Sequence, residues 1–222
     1  MVASTQALSV QPPKTRVHTQ GNNPTVLTDI FKDHVNMVVW RRELSADLLT
    51  AIDQYISENP SLNITKSVEA QSIETELADV LSDAPFKAQL DEMIAQQVAM
   101  FACLFELQYV GLRLKVLEHA MCPRFHVDKV PCRLITTFSG LGTQWLAHDA
   151  VNREKLGEVS KHLSDEESGL YADASHIKQL NTGDVALLKG ELWEGNEGAG
   201  LVHRSPALAH NQRRLILTLD FG

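Results

Sequence analysis

The chain has 222 residues, 44% of them hydrophobic, with a formal net charge of -8 and a pI of about 5.6. This composition supports a sizeable core and excludes a disordered chain. The acidic balance repels phosphate backbones, and the pairs Arg41-Arg42 and Arg213-Arg214 make no basic stripe, so no nucleic-acid partner is expected. Cys103, Cys122 and Cys132 are too sparse for a disulfide framework and suit a reducing, cytoplasmic setting. No apolar run reaches the roughly 18 residues of a membrane span, and Met1 to Val10 lack the pattern of a secretory signal.

Residues 1–24 are polar, with Pro12-Pro13 and Gly21-Asn22-Asn23 and no periodicity, so a flexible arm is expected before a single domain over 25–222. Val35 to Trp40 is β-branched and apolar and reads as a strand. Ser45 offers a helix N-cap, Leu48, Leu49, Ile52, Tyr55 and Ile56 recur at helical spacing, and Asn59-Pro60 ends the helix. Val68 to Leu81 repeats the helical pattern through Ile73, Leu77 and Leu81. A long helix follows over about Pro85 to Leu107, with Asp83 or Ala84 before a first-turn proline. Its stripe of Phe86, Leu90, Ile94, Val98, Phe101 and Phe105 suits core packing rather than a cofactor face. Residues 25–110 are thus expected to be mainly helical.

Beyond Gly111 the pattern becomes alternation and turns. Leu112, Leu114 and Val116 alternate with charged residues, and Leu134 to Phe138, Thr143 to Leu146, Val185 to Leu188 and Arg214 to Phe221 read as short strands between glycine turns. Such strands indicate an α+β protein whose second part, 111–222, is a jelly-roll or cupin-like barrel. The polar segment over about 152–178 reads as an insertion or lid with a short helix.

The chemistry concentrates in Cys122-Pro123-Arg124-Phe125-His126-Val127-Asp128. Residues two apart on a strand point to one side, so His126 and Asp128 present a nitrogen and a carboxylate oxygen to one point. His203, beside a further expected strand in Gly200 to Pro206, is the expected third ligand. Two imidazoles and one carboxylate form the facial set that holds Fe(II) and leaves positions open to other ligands. On the last strand, Arg214, Ile216, Thr218 and Asp220 share one face. An arginine on a barrel wall calls for an anion, and its fork suits a carboxylate such as the distal one of 2-oxoglutarate, with Thr218 adding a hydroxyl. The competing expectation pairs Arg214 with Asp220 or Glu191 on a solvated face. Arg213 ranks second as the anchor. Cys122 and Cys132, near the histidine, raise the alternative of zinc, although each suits a small buried residue. Trp145 and Trp193 are candidates for the substrate side, and His119 and His148 for spare metal or proton roles.

The Cys122 to Asp128 block, together with Gly142 to Leu146, Gly183 to Gly190, Gly200 to Pro206 and Arg213 to Asp220, resembles the bacterial family termed domain of unknown function 1826. A remoter resemblance is to iron/2-oxoglutarate-dependent dioxygenases, whose double-stranded β-helix carries His-x-Asp, a distal His and an Arg on the last strand. Arg214 to Leu219 is similar to the Arg-x-x-Leu-Thr-Phe strand of their nucleic-acid-demethylating branch. That resemblance implies His126, Asp128 and His203 as iron ligands and Arg214 and Thr218 as 2-oxoglutarate contacts. The chain departs from it at Ile216, at Asp220, and in lacking a clear Tyr or Asn for the cosubstrate's other end. The first resemblance also implies association with zinc-linked GTPase metallochaperones. Three readings stand open: an oxygenase acting on a small-molecule or protein substrate, a zinc-binding protein of metal homeostasis, and a cupin-like module without functional metal.

Overall fold

The structure, a computed structural model, describes residues 15–222 apart from 78–80, 82, 83, 85 and 158–161. It is a mixed α+β molecule. In chain order the elements are β1 (Val17–Gly21), β2 (Val35–Trp40), α1 (Ala46–Glu58), β3 (Asn63–Glu69), α2 (Ile73–Leu77), α3 (Lys87–Phe105), β4 (Tyr109–Leu117), β5 (Cys132–Ser139), β6 (Gln144–Leu146), β7 (Ile177–Gln179), β8 (Val185–Lys189), β9 (Val202–Arg204) and β10 (Arg214–Phe221). A seven-stranded sheet runs β1-β2-β8-β5-β10-β4-β3, and a three-stranded sheet runs β7-β6-β9. Among the described residues, only the β1–β2 pair is parallel.

Local sequence explains the elements. Ser45 Oγ accepts the Leu48 N–H at 3.3 Å and starts α1, whose Leu48, Ile52 and Ile56 fall on the buried side. On β10, Leu215, Leu217 and Leu219 pack with α3 residues such as Leu90, Ile94, Val98 and Phe101. The period of two turns Ile216 the other way, into a second core between the sheets with Met37, Val39, Ile135, Trp145, Ala186, Leu188 and Leu201. The larger sheet therefore has helices on one face and the smaller sheet on the other.

Three expectations need correction. Residues 17–21 are not a loose arm: they form β1, paired along β2, while residues 1–14 of that arm lie outside the described residues. Val68 belongs not to a helix but to β3, whose register with β4 runs from Asn63 opposite Lys115 to Glu69 opposite Tyr109. The part over 25–110 is thus mixed rather than mainly helical, and Asp83 and Pro85, expected to start α3, lie outside the described residues. The insertion is no lid over the inner face. Its Leu170 and Tyr171 pack with Phe125, Leu146 and Val202 on the outer face of the smaller sheet. Asp165 secures it there, accepting the Phe125 N–H at 2.9 Å and pairing with Arg204 at 3.1 Å. Its described residues carry short 3-10 helices at Arg153–Lys155 and Ala174–His176, and Ile177 and Lys178 already belong to β7.

One buried cation bears on stability. Lys189 is 2% exposed, donates to the Lys32 carbonyl at 3.0 Å and lies 4.5 Å from the Trp193 ring centre. Burial pushes its pKa down from 10.5 to about 8. Between those values the unfolded chain binds more protons than the folded one, so stability rises with pH across that window. Compared with Lys189→Met in urea titrations, the wild type should gain about 1–3 kcal/mol between roughly pH 8 and 10.5. Parallel stability curves for the two chains would refute this.

Candidate metal centre

His126 and Asp128 lie on the segment joining β4 to β5. Phe125 and Val127 pack outward with Leu146, Leu170, Tyr171 and Val202, so the strand period turns His126 and Asp128 inward. Val202 likewise faces outward while Leu201 packs between the sheets, which places His203, 5% exposed, on the inner face. His126 and His203 form an antiparallel bridge with reciprocal backbone hydrogen bonds of 3.0 Å, and their ring centres lie 4.6 Å apart. Two glycines permit the close approach. A Cβ on Gly200 would meet Val127 Cγ1 at 2.4 Å, and one on Gly190 would meet the Val130 carbonyl at 2.1 Å.

Ligand atoms of His126, Asp128 and His203 all lie within 4.8 Å of one another. Each imidazole turns Nδ1 to a backbone carbonyl, that of Arg124 at 2.9 Å for His126 and that of Leu201 at 3.3 Å for His203. With the proton on Nδ1, Nε2 keeps the lone pair that faces the carboxylate. His126 Nε2 is 3.6 Å from Asp128 Oδ1, and His203 Nε2 is 3.3 Å from Oδ2. Burial works against the Asp128 charge, but the two histidines and Arg133 outweigh it and hold the carboxyl well below the usual range. Desolvation alone would lower His126; Asp128 and the Arg124 carbonyl outweigh it and raise its pKa.

The two oxygens of Asp128 differ. Oδ1 pairs with Arg133 Nη1 at 2.8 Å, whereas Oδ2 is buried and makes no hydrogen bond. Arg133 is itself held by Asp220, through Nε to Oδ1 at 2.7 Å and Nη2 to Oδ2 at 3.0 Å, and Arg113 also pairs with Asp220. The sequence reading missed Arg133. Its available signal was Asp220, an inward carboxylate that demands a cation on a neighbouring strand.

Arg214 is 1% exposed. Its Nε and Nη2 donate to Thr137 Oγ1 at 3.3 and 2.9 Å, and Nη2 donates to Thr143 Oγ1 at 2.6 Å. Its Nη1 has no hydrogen-bond partner, and burial pushes the guanidinium pKa down to about 10. Asp220 is engaged by Arg133 and Arg113, and Glu191 accepts the Gly198 N–H, so neither is the solvated partner that a surface Arg214 would have. Thr218 is buried two pleats beyond Ile216's neighbour Arg214, on the same inward face.

The other candidates separate from this group. Arg213 turns to the surface and pairs with Glu118 at 2.8 Å. Cys132 points into the helix-side core, where burial pushes its thiol up, because it sits one residue out of phase with the inward Arg133. Cys122 offers its carbonyl to the Ser205 N–H, and neither its thiol nor His119 belongs to the His–Asp–His group. His148 Nδ1 lies 3.2 Å from Arg153 Nη2. Trp145 stands directly opposite His203 on the paired strand. Trp193 packs instead with Phe31 and Phe105 against the helix-side core.

Among solved structures, the chain is similar in fold to a dioxygenase. Dioxygenase for auxin oxidation 1 of Arabidopsis thaliana, in its 2-oxoglutarate complex, is 7% identical over 93% of this chain and 92% of that one, with a TM-score of 0.50. The dioxygenase for auxin oxidation of rice is 9% identical over 93% and 82% of the two chains, with a TM-score of 0.47. A Pseudomonas putida prolyl-4-hydroxylase is 11% identical over 89% and 96%, with a TM-score of 0.45. At such identity the Arabidopsis likeness shows a shared fold and assigns no residue a role. No curated protein matches the chain. A family model described as "Protein of unknown function (DUF1826)" matches residues 21–220.

Proposed function

The chain belongs to the DUF1826 family, and from that premise and the geometry of the inner face we propose that it is an Fe(II)- and 2-oxoglutarate-dependent oxygenase. The supporting scaffold is a double-stranded β-helix. From β4 onward the chain passes to the His126 bridge, β5, β6–β7, β8, β9 and β10, moving between the larger and smaller sheets as a jelly roll does.

The residues fit the metal. His126 Nε2, His203 Nε2 and Asp128 Oδ2 are a facial N, N, O set, and a buried carboxylate oxygen without a hydrogen bond is a site that a cation satisfies. The observation that carries the oxygenase reading is Arg214. A metal-handling protein needs only the triad, whereas a buried guanidinium that meets only neutral hydroxyls, with one nitrogen unpaired, calls for an anion on the same inner face. The distal carboxylate of 2-oxoglutarate meets that need, with Thr218 beside it. The zinc alternative gains nothing from Cys132, which points into the other core.

Bound Fe(II) and 2-oxoglutarate supply oxygen activation, with the 2-oxoglutarate oxidised to succinate and carbon dioxide and a substrate C–H bond hydroxylated. Within the protein, Arg133 fixes Oδ1 and leaves Oδ2 to the metal, Arg214 orients the cosubstrate, and Ile135 and Ile216 keep the inner face dry.

The test is succinate formation from 2-oxoglutarate by the purified chain, with oxygen and with or without Fe(II). Fe(II)-dependent succinate that disappears in His126→Ala is the expected result. Wild-type protein that binds Fe(II) yet forms no succinate, with or without candidate substrates, would remove the oxygenase reading. Asp220→Asn should weaken the hold on Arg133 and lower Co(II) affinity by about tenfold, read from visible absorption titrations. An unchanged titration curve would show that Arg133 needs no such support.

A further inference from the structure

A cavity of about 410 Å3 is lined by Arg16, His18, Trp145, Ala147, Lys178 and Leu201 among others, and by none of the triad residues. Its position follows from strand register. Lys178 is opposite Trp145, Trp145 is opposite His203, and His203 is opposite His126, so the four form one row across the smaller sheet. Adjacent strands lie ~4.8 Å apart, which brings the Trp145 side of the cavity one strand from His203. Ala147 and Leu201, two residues from Trp145 and His203 respectively, share their face. Along this side of the chain Thr143 reaches Arg214, Trp145 meets the triad row and Ala147 lines the cavity. The anion anchor and the cavity thus flank the metal centre from opposite ends.

The lining is partly apolar and locally cationic. Lys178 lies 5.0 Å over the Trp145 ring and, among the described residues, forms no ion pair. Arg16 spends its donors on neutral acceptors: Asn196 Oδ1 and the carbonyls of Thr15 and Gly195. Burial, with the charges of Lys178 and Arg41, pushes the His18 pKa down and favours the neutral ring, so the positive charge of the lining comes from Lys178 and Arg16. Among the described residues Asp149 is the one acid on the wall, against the cations Arg16 and Lys178, in a chain whose net charge is -8. A cationic pocket on an acidic protein selects its ligand by charge.

We propose that this cavity is the substrate subsite, and that it admits a small organic anion whose apolar body lies against Trp145, Ala147 and Leu201 while its acid group meets Lys178 and Arg16. Calling the ligand a substrate rests on the oxygenase reading; the anion preference does not.

The experiment therefore has two arms. In the first, benzoate, phenyl phosphate and neutral benzyl alcohol are titrated by NMR into the full metal-free chain and into Lys178→Gln, an exposed change whose fold is checked by its melting curve. Both anions should bind more tightly than benzyl alcohol, and Lys178→Gln should raise their Kd at least fivefold. Equal binding of the alcohol, no binding of either anion, or indifference to Lys178→Gln would overturn the proposal. In the second arm, succinate formation with Fe(II) and 2-oxoglutarate is followed with each probe. A Lys178-dependent change in turnover by the anions supports the substrate role. Lys178-dependent binding without succinate under any condition would defeat the oxygenase reading and, with it, the substrate role, leaving an anion site. Turnover indifferent to the anions and to Lys178 would defeat the subsite alone.

Discussion

An Asp128→Ala chain should bind Fe(II) or Co(II) at least about a hundredfold more weakly than the wild type, while remaining folded. Two effects combine. The substitution removes the only anionic member of the triad, and it removes the oxygen whose burial without a hydrogen bond favours a cation. The fold survives because Arg133 keeps its two contacts to Asp220 and so is not left as an unpaired buried charge. Equilibrium dialysis with elemental analysis reads the affinity, and thermal melting reads the fold. An Asp128→Ala chain that retains metal at wild-type affinity would show that the His126–His203 pair is held for another purpose.

Arg214→Met should leave metal binding within about twofold of wild type and weaken 2-oxoglutarate binding by about two orders of magnitude, the loss of one bidentate charged contact in a dry site. Its effect on the ligand-free fold runs the other way. Arg214 has no carboxylate partner among the described residues, so a methionine of similar volume relieves a desolvated charge at the expense of hydrogen bonds to Thr137 and Thr143. The ligand-free chain should therefore melt no lower than about 1 kcal/mol below wild type and is expected to equal it. Isothermal titration of 2-oxoglutarate into the Co(II)-loaded chain, with melting curves of the ligand-free pair, checks both halves. Undiminished 2-oxoglutarate affinity would show that the cosubstrate carboxylate lies elsewhere. A large loss of stability would show that the two threonine hydroxyls already satisfy the guanidinium.

The sequence exposes the parts of this molecule whose periodicity is local. Ser45 followed by Leu48, Ile52 and Ile56 defines α1, and the alternation from Arg214 to Phe221 separates the helix-facing leucines from Arg214 and Ile216. The spacing of His126 and Asp128 required only a period of two, and β9 brought His203 alongside. Other features depend on register, which no single segment encodes. Val68, Ile73 and Leu77 mimic a helical stripe, but pairing with β4 draws Val68 into a strand. Val17 to Gly21 is too polar to announce a strand, and gains its structure from the edge of β2. Arg133 lies just outside the strand read over Leu134 to Phe138; its role follows from β5 lying beside β10, which brings it to Asp220, and from the chain bringing Asp128 to its other nitrogen. Polarity alone made 152–178 resemble a lid, because Leu170 and Tyr171 are too few to signal the face that they cover.

The smaller sheet is a partition one chain thick, with the imidazoles on one side and the insertion's Leu170 and Tyr171 on the other. Shortening that insertion would not widen the entrance to the chamber. It would strip the backing from Phe125 and Val202, free the Phe125 amide from Asp165, and let His126 and His203 drift out of alignment. Engineering for bulkier guests is thus better directed at the cavity rim, which Val17 and His18 of β1 and Lys178 of β7 line, than at the loop that outwardly resembles a cover.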